Sequence, residues 1–193
     1  MTRHPRNACR DARRLSRPRP QAFTLIEILI VVALLGIAAT MLIPNMTNMA
    51  DFETEAAVRV IVSDLTFAQS DAMAHQGGRR MLFDEDGRGY RILFAPYDPA
   101  TDVLNDPVAF AGDGRYIVDF VTDTRFREVT VTAVDFDSGN SYVTFDELGG
   151  PIAPDGSSSV GGTITVQGRN QQFRIEVAAF TGRVTVTEIL PEP

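Results

Sequence analysis

The 193-residue chain predicts an α+β fold: one long N-terminal helix, then an antiparallel β domain of about eight strands. Three observations carry this. Residues 23–43 are an apolar run with one charge, Glu27. Residues 46–76 contain no glycine or proline, and their apolar residues recur at helical spacing. From Arg79 the period drops to two, and clusters of Gly, Asp, Asn and Pro interrupt it. A helical block followed by a strand block is the α+β order.

The N-terminus is basic. Residues 1–22 hold seven arginines against one acid, Asp11, whereas residues 23–193 hold 11 basic and 24 acidic groups, a net of −13. Phe23 to Ile43 is 21 residues, long enough to cross a bilayer as one helix. The positive-inside rule then keeps residues 1–22 in the cytoplasm and sends the acidic part across the membrane. A secretory signal peptide would have a shorter apolar region followed by a small-residue cleavage box; here Pro44, Asn45 and Met46 follow. A plain N-terminal anchor fits the apolar run but leaves Glu27 without a purpose. A carboxylate in hydrocarbon costs on the order of 2.5–3.5 kcal/mol on insertion scales, so Glu27 calls for a partner.

The helix is expected to continue past Pro44, which removes a backbone donor and kinks it. Val58, Ile61, Val62, Leu65, Ala68 and Ala72 form one buried face, and Glu53, Glu55, Arg59, Asp64 and Asp71 the opposite, polar one. Gly77-Gly78 supplies the stop. A helix from Phe23 to Gln76 would be roughly 80 Å long. Arg80–Phe83 and Tyr90–Phe94 read as a hairpin around Asp84-Glu85-Asp86-Gly87-Arg88-Gly89. Residues 95–114 read as an exposed loop. Tyr116–Val121, Glu128–Phe136 and Tyr142–Phe145 are the next strands, and residues 149–162 a soft segment. Thr163–Gln167, Gln171–Val177 and Arg183–Thr187 close the chain as a meander.

The N-terminal arrangement resembles the type IV pilin class: a short basic leader, a cut before Phe, Glu at the fifth position after the cut, then an apolar helix. The residues that carry it are FTLIE at 23–27 and the run to Ile43. The resemblance implies cleavage between Ala22 and Phe23 by prepilin peptidase and N-methylation of Phe23. Ala22 stands where the family usually has glycine. Further along, DLTFAQSDAMAHQGG, FDELGG, GGTITVQGRNQQFRIEV and TGRVTV resemble the H-type minor pseudopilins, the GspH/FimT family. That family implies a pilin-like fold, no enzymatic activity, and assembly with other pseudopilins or pilins on an inner-membrane platform. It also implies that Glu27 pairs with the N-terminal amine of a neighbouring subunit. The expected layout is a leader at 1–22, a transmembrane and assembly helix at 23–45, and a periplasmic domain at 46–193 (amphipathic helix 46–76, β domain 79–193). The expected role is a minor pseudopilin of a type II secretion system. The alternatives are a minor subunit of a type IV pilus, acting in assembly, adhesion or DNA uptake, and a lone anchored periplasmic protein.

Other candidates for chemistry read more simply. Cys9 is the only cysteine and lies in the leader, so the processed chain has no thiol nucleophile, cysteine metal site or disulfide. His75 is the only histidine beyond the leader; at a helix C-terminus it suits the dipole, and no nucleophile-elbow motif accompanies it. The acidic runs Asp84–Gly87 and Asp135–Asn140 lack the closing Glu of a calcium loop and read as turns, so no metal or cofactor is expected. Arg169, Arg174 and Arg183 invite a nucleic-acid reading, but a net charge of −13 opposes binding to phosphates.

Overall fold

A computed structural model describes residues 23–106, 114–126 and 128–189; for residues 40–50 only the backbone is described. Ala22, Cys9 and the rest of the leader lie outside the described residues. Helical backbone, α1, runs Leu25–His75, and the contacts divide the chain within it into units 1–42 and 43–193. The helical bounds are thus Leu25 and His75 where the sequence suggests Phe23 and Gln76.

Among the described residues of the second unit, nine strands form two antiparallel sheets. The first has the order β3-β2-β1-β5-β6, from Ile117–Asp119, Gly89–Phe94, Arg79–Phe83, Tyr142–Phe145 and Pro151–Ile152. The second has the order β4-β7-β8-β9, from Thr130–Phe136, Gly161–Gln167, Gln172–Ala178 and Val184–Ile189. The hairpin and the closing meander match the expected pairings. The soft segment does not: it contributes β6 and the start of β7. Residues 95–106 are not simply an exposed loop either. Val103 bridges Leu93, Asn105 bridges Arg115, and Asp102 and Val103 are buried. Glu128 lies outside β4 with φ at 63°.

The core sits between α1 and the sheets. Ala57, Ile61, Leu65, Ala68 and Ala72 face Met81, Phe83, Tyr90, Ile92, Phe136, Phe145, Ile164, Ile175 and Val177, all buried. Each fully buried large side chain contributes about 1.5–3 kcal/mol, so this one face supplies much of the domain's stability. The three alanines on α1 leave room for the phenylalanines of the strands.

The helix ends as expected, through a different residue. Gln76, not a glycine, takes the left-handed conformation at φ 47°. The Gly77 N–H donates to the Ala72 carbonyl and the Gln76 N–H to the Met73 carbonyl, the bond pair of a Schellman cap. Gly78 is needed for another reason: a Cβ there would lie 1.9 Å from the Tyr97 hydroxyl.

Polar clamps fix residues 51–75 of α1 to turns of the β domain near both ends of that stretch. The Gln69 amide donates to the Gly149 and Thr181 carbonyls at 2.6 and 3.0 Å, tying two turns to the helix. Asn170 donates to Asp51 at 3.1 Å, and Gly168 lies so close to the buried Thr54 that a Cβ would be 1.9 Å from its hydroxyl.

Candidate functional site: the N-terminal segment and the helix–sheet seam

The N-terminal segment is defined by residue chemistry. Phe23 is 75 % exposed, and Leu25, Ile26, Ile28 to Val32, Leu34, Leu35 and Ile37 are all exposed. From Leu25 to Ala39 every residue but Glu27 is uncharged and nonpolar, and every one is exposed. Among the described residues no helix is long and apolar enough to cross a membrane. The described side chains of this run stop at Ala39, and Ile43 is placed by its backbone alone.

Glu27 stands in the first turn of α1 and is exposed. Its N–H donates to the Thr24 hydroxyl at 3.3 Å, and the Ile28 N–H to the Thr24 carbonyl at 3.2 Å. Thr24 is therefore the N-cap and Glu27 the third helical residue, the spacing of a capping box. A carboxylate there is favoured by the helix dipole. The sequence signal for this local role is Thr-x-x-Glu at 24–27, which the apolar run overshadows.

Where α1 meets the sheets lies a feature the sequence reading misplaced. Asp64 does not join the polar face: it is 7 % exposed and accepts two tyrosine hydroxyls. Tyr90 donates to its Oδ2 at 2.5 Å and Tyr116 to its Oδ1 at 2.9 Å. The first bond ties α1 to β2, and the second ties it to the residue preceding β3. Burial raises the Asp64 carboxyl above its ordinary range, and the two hydroxyls counter part of that. Burial and the neighbouring Asp64 push the Tyr90 hydroxyl well above the tyrosine range, and Tyr116 likewise. The missed signal is spacing: Asp64 falls seven residues after Ala57 and four before Ala68, on the buried stripe. Asp71, seven further on, is only half-buried and pairs with the buried Arg79.

The other candidates separate. His75 lies 3.0 Å from Asp71 through Nδ1, one turn away, and no serine or threonine hydroxyl bonds it among the described residues. The Asp84–Gly89 run is a turn: the Gly87 N–H donates to the Asp84 carbonyl, and the Asp84 carboxylate pairs with Arg91 at 2.5 Å. At the other acidic turn, Asp137 accepts from the Ser159 hydroxyl and the Val160 N–H at 2.8 and 2.9 Å. Among the described residues no group of three or more His, Cys, Asp or Glu is placed to hold a metal. Arg169 pairs with Glu128 through both of its acid oxygens, while Arg174 and Arg183 are exposed on β8 and just before β9.

Residues 17–43 match the prokaryotic N-terminal methylation motif. The N-terminal segment is thus of the prepilin type, joined to an α+β domain of two antiparallel sheets. Among solved structures the chain is similar to the minor pseudopilin EpsH from the Type 2 Secretion System of Vibrio cholerae. The identity is 12 %, the TM-score 0.44, and 73 % of this chain and 99 % of that one are covered. It is also similar to the type IV minor pilin FimU of Pseudomonas aeruginosa, at 15 % identity, TM-score 0.40 and coverage of 73 % and 91 %. Likeness at this level carries no functional assignment by itself. No curated protein matches the chain.

Proposed function

We propose that the protein is a structural minor subunit of a pilin-like filament, built into the periplasmic pseudopilus of a type II secretion system. The observation that carries the reading is Glu27: one carboxylate, the fifth residue of the chain that a cut before Phe23 would leave, in a stretch from Leu25 to Ala39 that is otherwise nonpolar and exposed. Cleavage between Ala22 and Phe23 frees an amine at the same depth as that acid. Neither charge is stable alone in an apolar surround, and pairing between neighbouring subunits removes both costs together. The basic residues 1–22 hold the N-terminus on the cytoplasmic side, residues 23–43 anchor the subunit in the inner membrane, and the domain from residue 46 lies in the periplasm. The partners are other pseudopilins, prepilin peptidase and the inner-membrane assembly platform. The subunit acts by assembly rather than catalysis, and its acidic surface disfavours nucleic acid.

Glu27→Val and Glu27→Gln test the reading together. Both abolish the charge pair while sparing membrane insertion, so both are expected to lose cross-linking to other subunits and to fail in assembly. Normal assembly of both variants would overturn the pairing role. Failure of Val with normal assembly of Gln would reduce Glu27 to a helix-capping residue. A secretion assay beside a pilus assay on the same strains separates the type II system from a type IV pilus.

A further inference from the structure

Arg80 lies on the outer face of the first sheet, in register with Leu93 of β2 and Thr144 of β5. Its guanidinium lies over two tyrosine rings, with Cζ 4.2 Å from the centre of Tyr97 and 4.0 Å from that of Tyr142. Its Nε–H donates to the Thr144 hydroxyl at 2.9 Å, and Thr144 is buried. The rings cover the faces of the guanidinium and Thr144 takes the inner donor. What remains is the in-plane edge, the two terminal nitrogens. Among the described residues nothing bonds to them, and solvent reaches them.

Arg59, Arg79, Arg88, Arg91, Arg125 and Arg169 each pair with an acid. Arg80 has no carboxylate partner among the described residues, although acids outnumber bases in residues 23–193 by 24 to 11. Among those residues Arg174 and Arg183 also form no ion pair, but both are exposed, whereas Arg80 is half-buried. The backbone is also bent to build the arrangement. Tyr97, a bulky residue, sits at φ 76°, in the left-handed region that side chains rarely adopt. Its hydroxyl occupies the space left by the missing side chain of Gly78. Strain of this kind persists where the surroundings hold a residue to a task.

We propose that Arg80, Tyr97 and Tyr142 form a binding site for a carboxylate, gripped by the terminal nitrogens of Arg80 in the guanidinium plane. The planar fork of arginine matches a carboxylate with two parallel hydrogen bonds, which lysine cannot reproduce. Flanking rings suit a flat anion better than a tetrahedral one. The carboxylate comes either from a free small acid or from an acidic side chain of a polypeptide.

The test is an NMR titration of the full-length chain in detergent micelles, labelled with ¹⁵N. The Arg80 Nε–H signal is identified by its loss in Arg80→Lys. Sodium acetate is compared with sodium chloride at equal ionic strength, and a capped Ala-Glu-Ala peptide with capped Ala-Gln-Ala. The expected result is a saturable shift of the Arg80 signal with acetate, absent with chloride and absent at the exposed Arg174 and Arg183. Tyr97→Ala and Tyr142→Ala are each expected to weaken binding by up to about tenfold, because a guanidinium no longer held by its rings must be ordered on binding. Tighter binding of the Glu peptide than of acetate assigns the site to a polypeptide acid; equal or weaker binding assigns it to a free one. An Arg80 shift no larger than those of Arg174 and Arg183, or binding unchanged in both tyrosine variants, would overturn the proposal. Neither result bears on the role of Glu27.

Discussion

Asp64→Ala tests the seam between α1 and the first sheet. Asp64 accepts hydrogen bonds from Tyr90, which is fully buried, and from Tyr116, which is half-buried and stacked on Phe67 at 5.2 Å. Alanine removes both acceptors. A buried hydroxyl left without a partner costs about 1–3 kcal/mol, which applies in full to Tyr90 and less to Tyr116, since water can reach the latter. Relief of the buried carboxylate offsets a part. The net expectation is a loss of about 1–3 kcal/mol. The assay is urea unfolding of residues 46–193, which fall wholly within the second compact unit, followed by circular dichroism. Asp64→Ala combined with Tyr90→Phe should regain about 1–2 kcal/mol, because removing both partners leaves no orphan. Unchanged stability in the single variant, or no recovery in the double one, would refute the view that the seam is held by this acid.

Two further outcomes follow from the same domain. Burial keeps the Tyr90 proton on in the folded state to higher pH than in the unfolded one, so the stability it confers is complete below pH about 10 and falls as pH rises further. The slope is up to about 1.4 kcal/mol per pH unit, and alkaline unfolding curves should flatten in Tyr90→Phe. Gly168→Ala should cost about 1–3 kcal/mol in the same urea assay, because its new methyl would lie 1.9 Å from the buried Thr54 hydroxyl.

Period and turn chemistry carried much of the fold into the sequence. The buried stripe from Val58 to Ala72, the Asp84–Gly89 hairpin and the closing meander could all be read residue by residue. The split into two sheets could not, because strand alternation says which side chains are buried and not which strand is the neighbour. Nothing local tells that β5 leaves β4 to pair with β1. The charge of Asp64 points to the polar face and its spacing to the buried stripe; spacing wins because two distant tyrosines make that place tolerable. Gly77-Gly78 marks the point of the helix stop, yet Gln76 adopts the left-handed turn, and Gly78 is required by Tyr97, which is 19 residues away. The covering of Arg80 by Tyr97 depends on residues 95–106 folding back on the sheet, and the Pro- and Asp-rich composition there reads only as loop.

The central claim is that this chain is processed as a filament subunit. It is tested most directly by intact-mass and N-terminal mass spectrometry of the protein extracted from membranes. The account predicts a chain that begins Phe23-Thr24-Leu25-Ile26-Glu27 and carries a methyl group on the Phe23 amine. A chain that still begins at Met1, or one cut after Ile43, would contradict it.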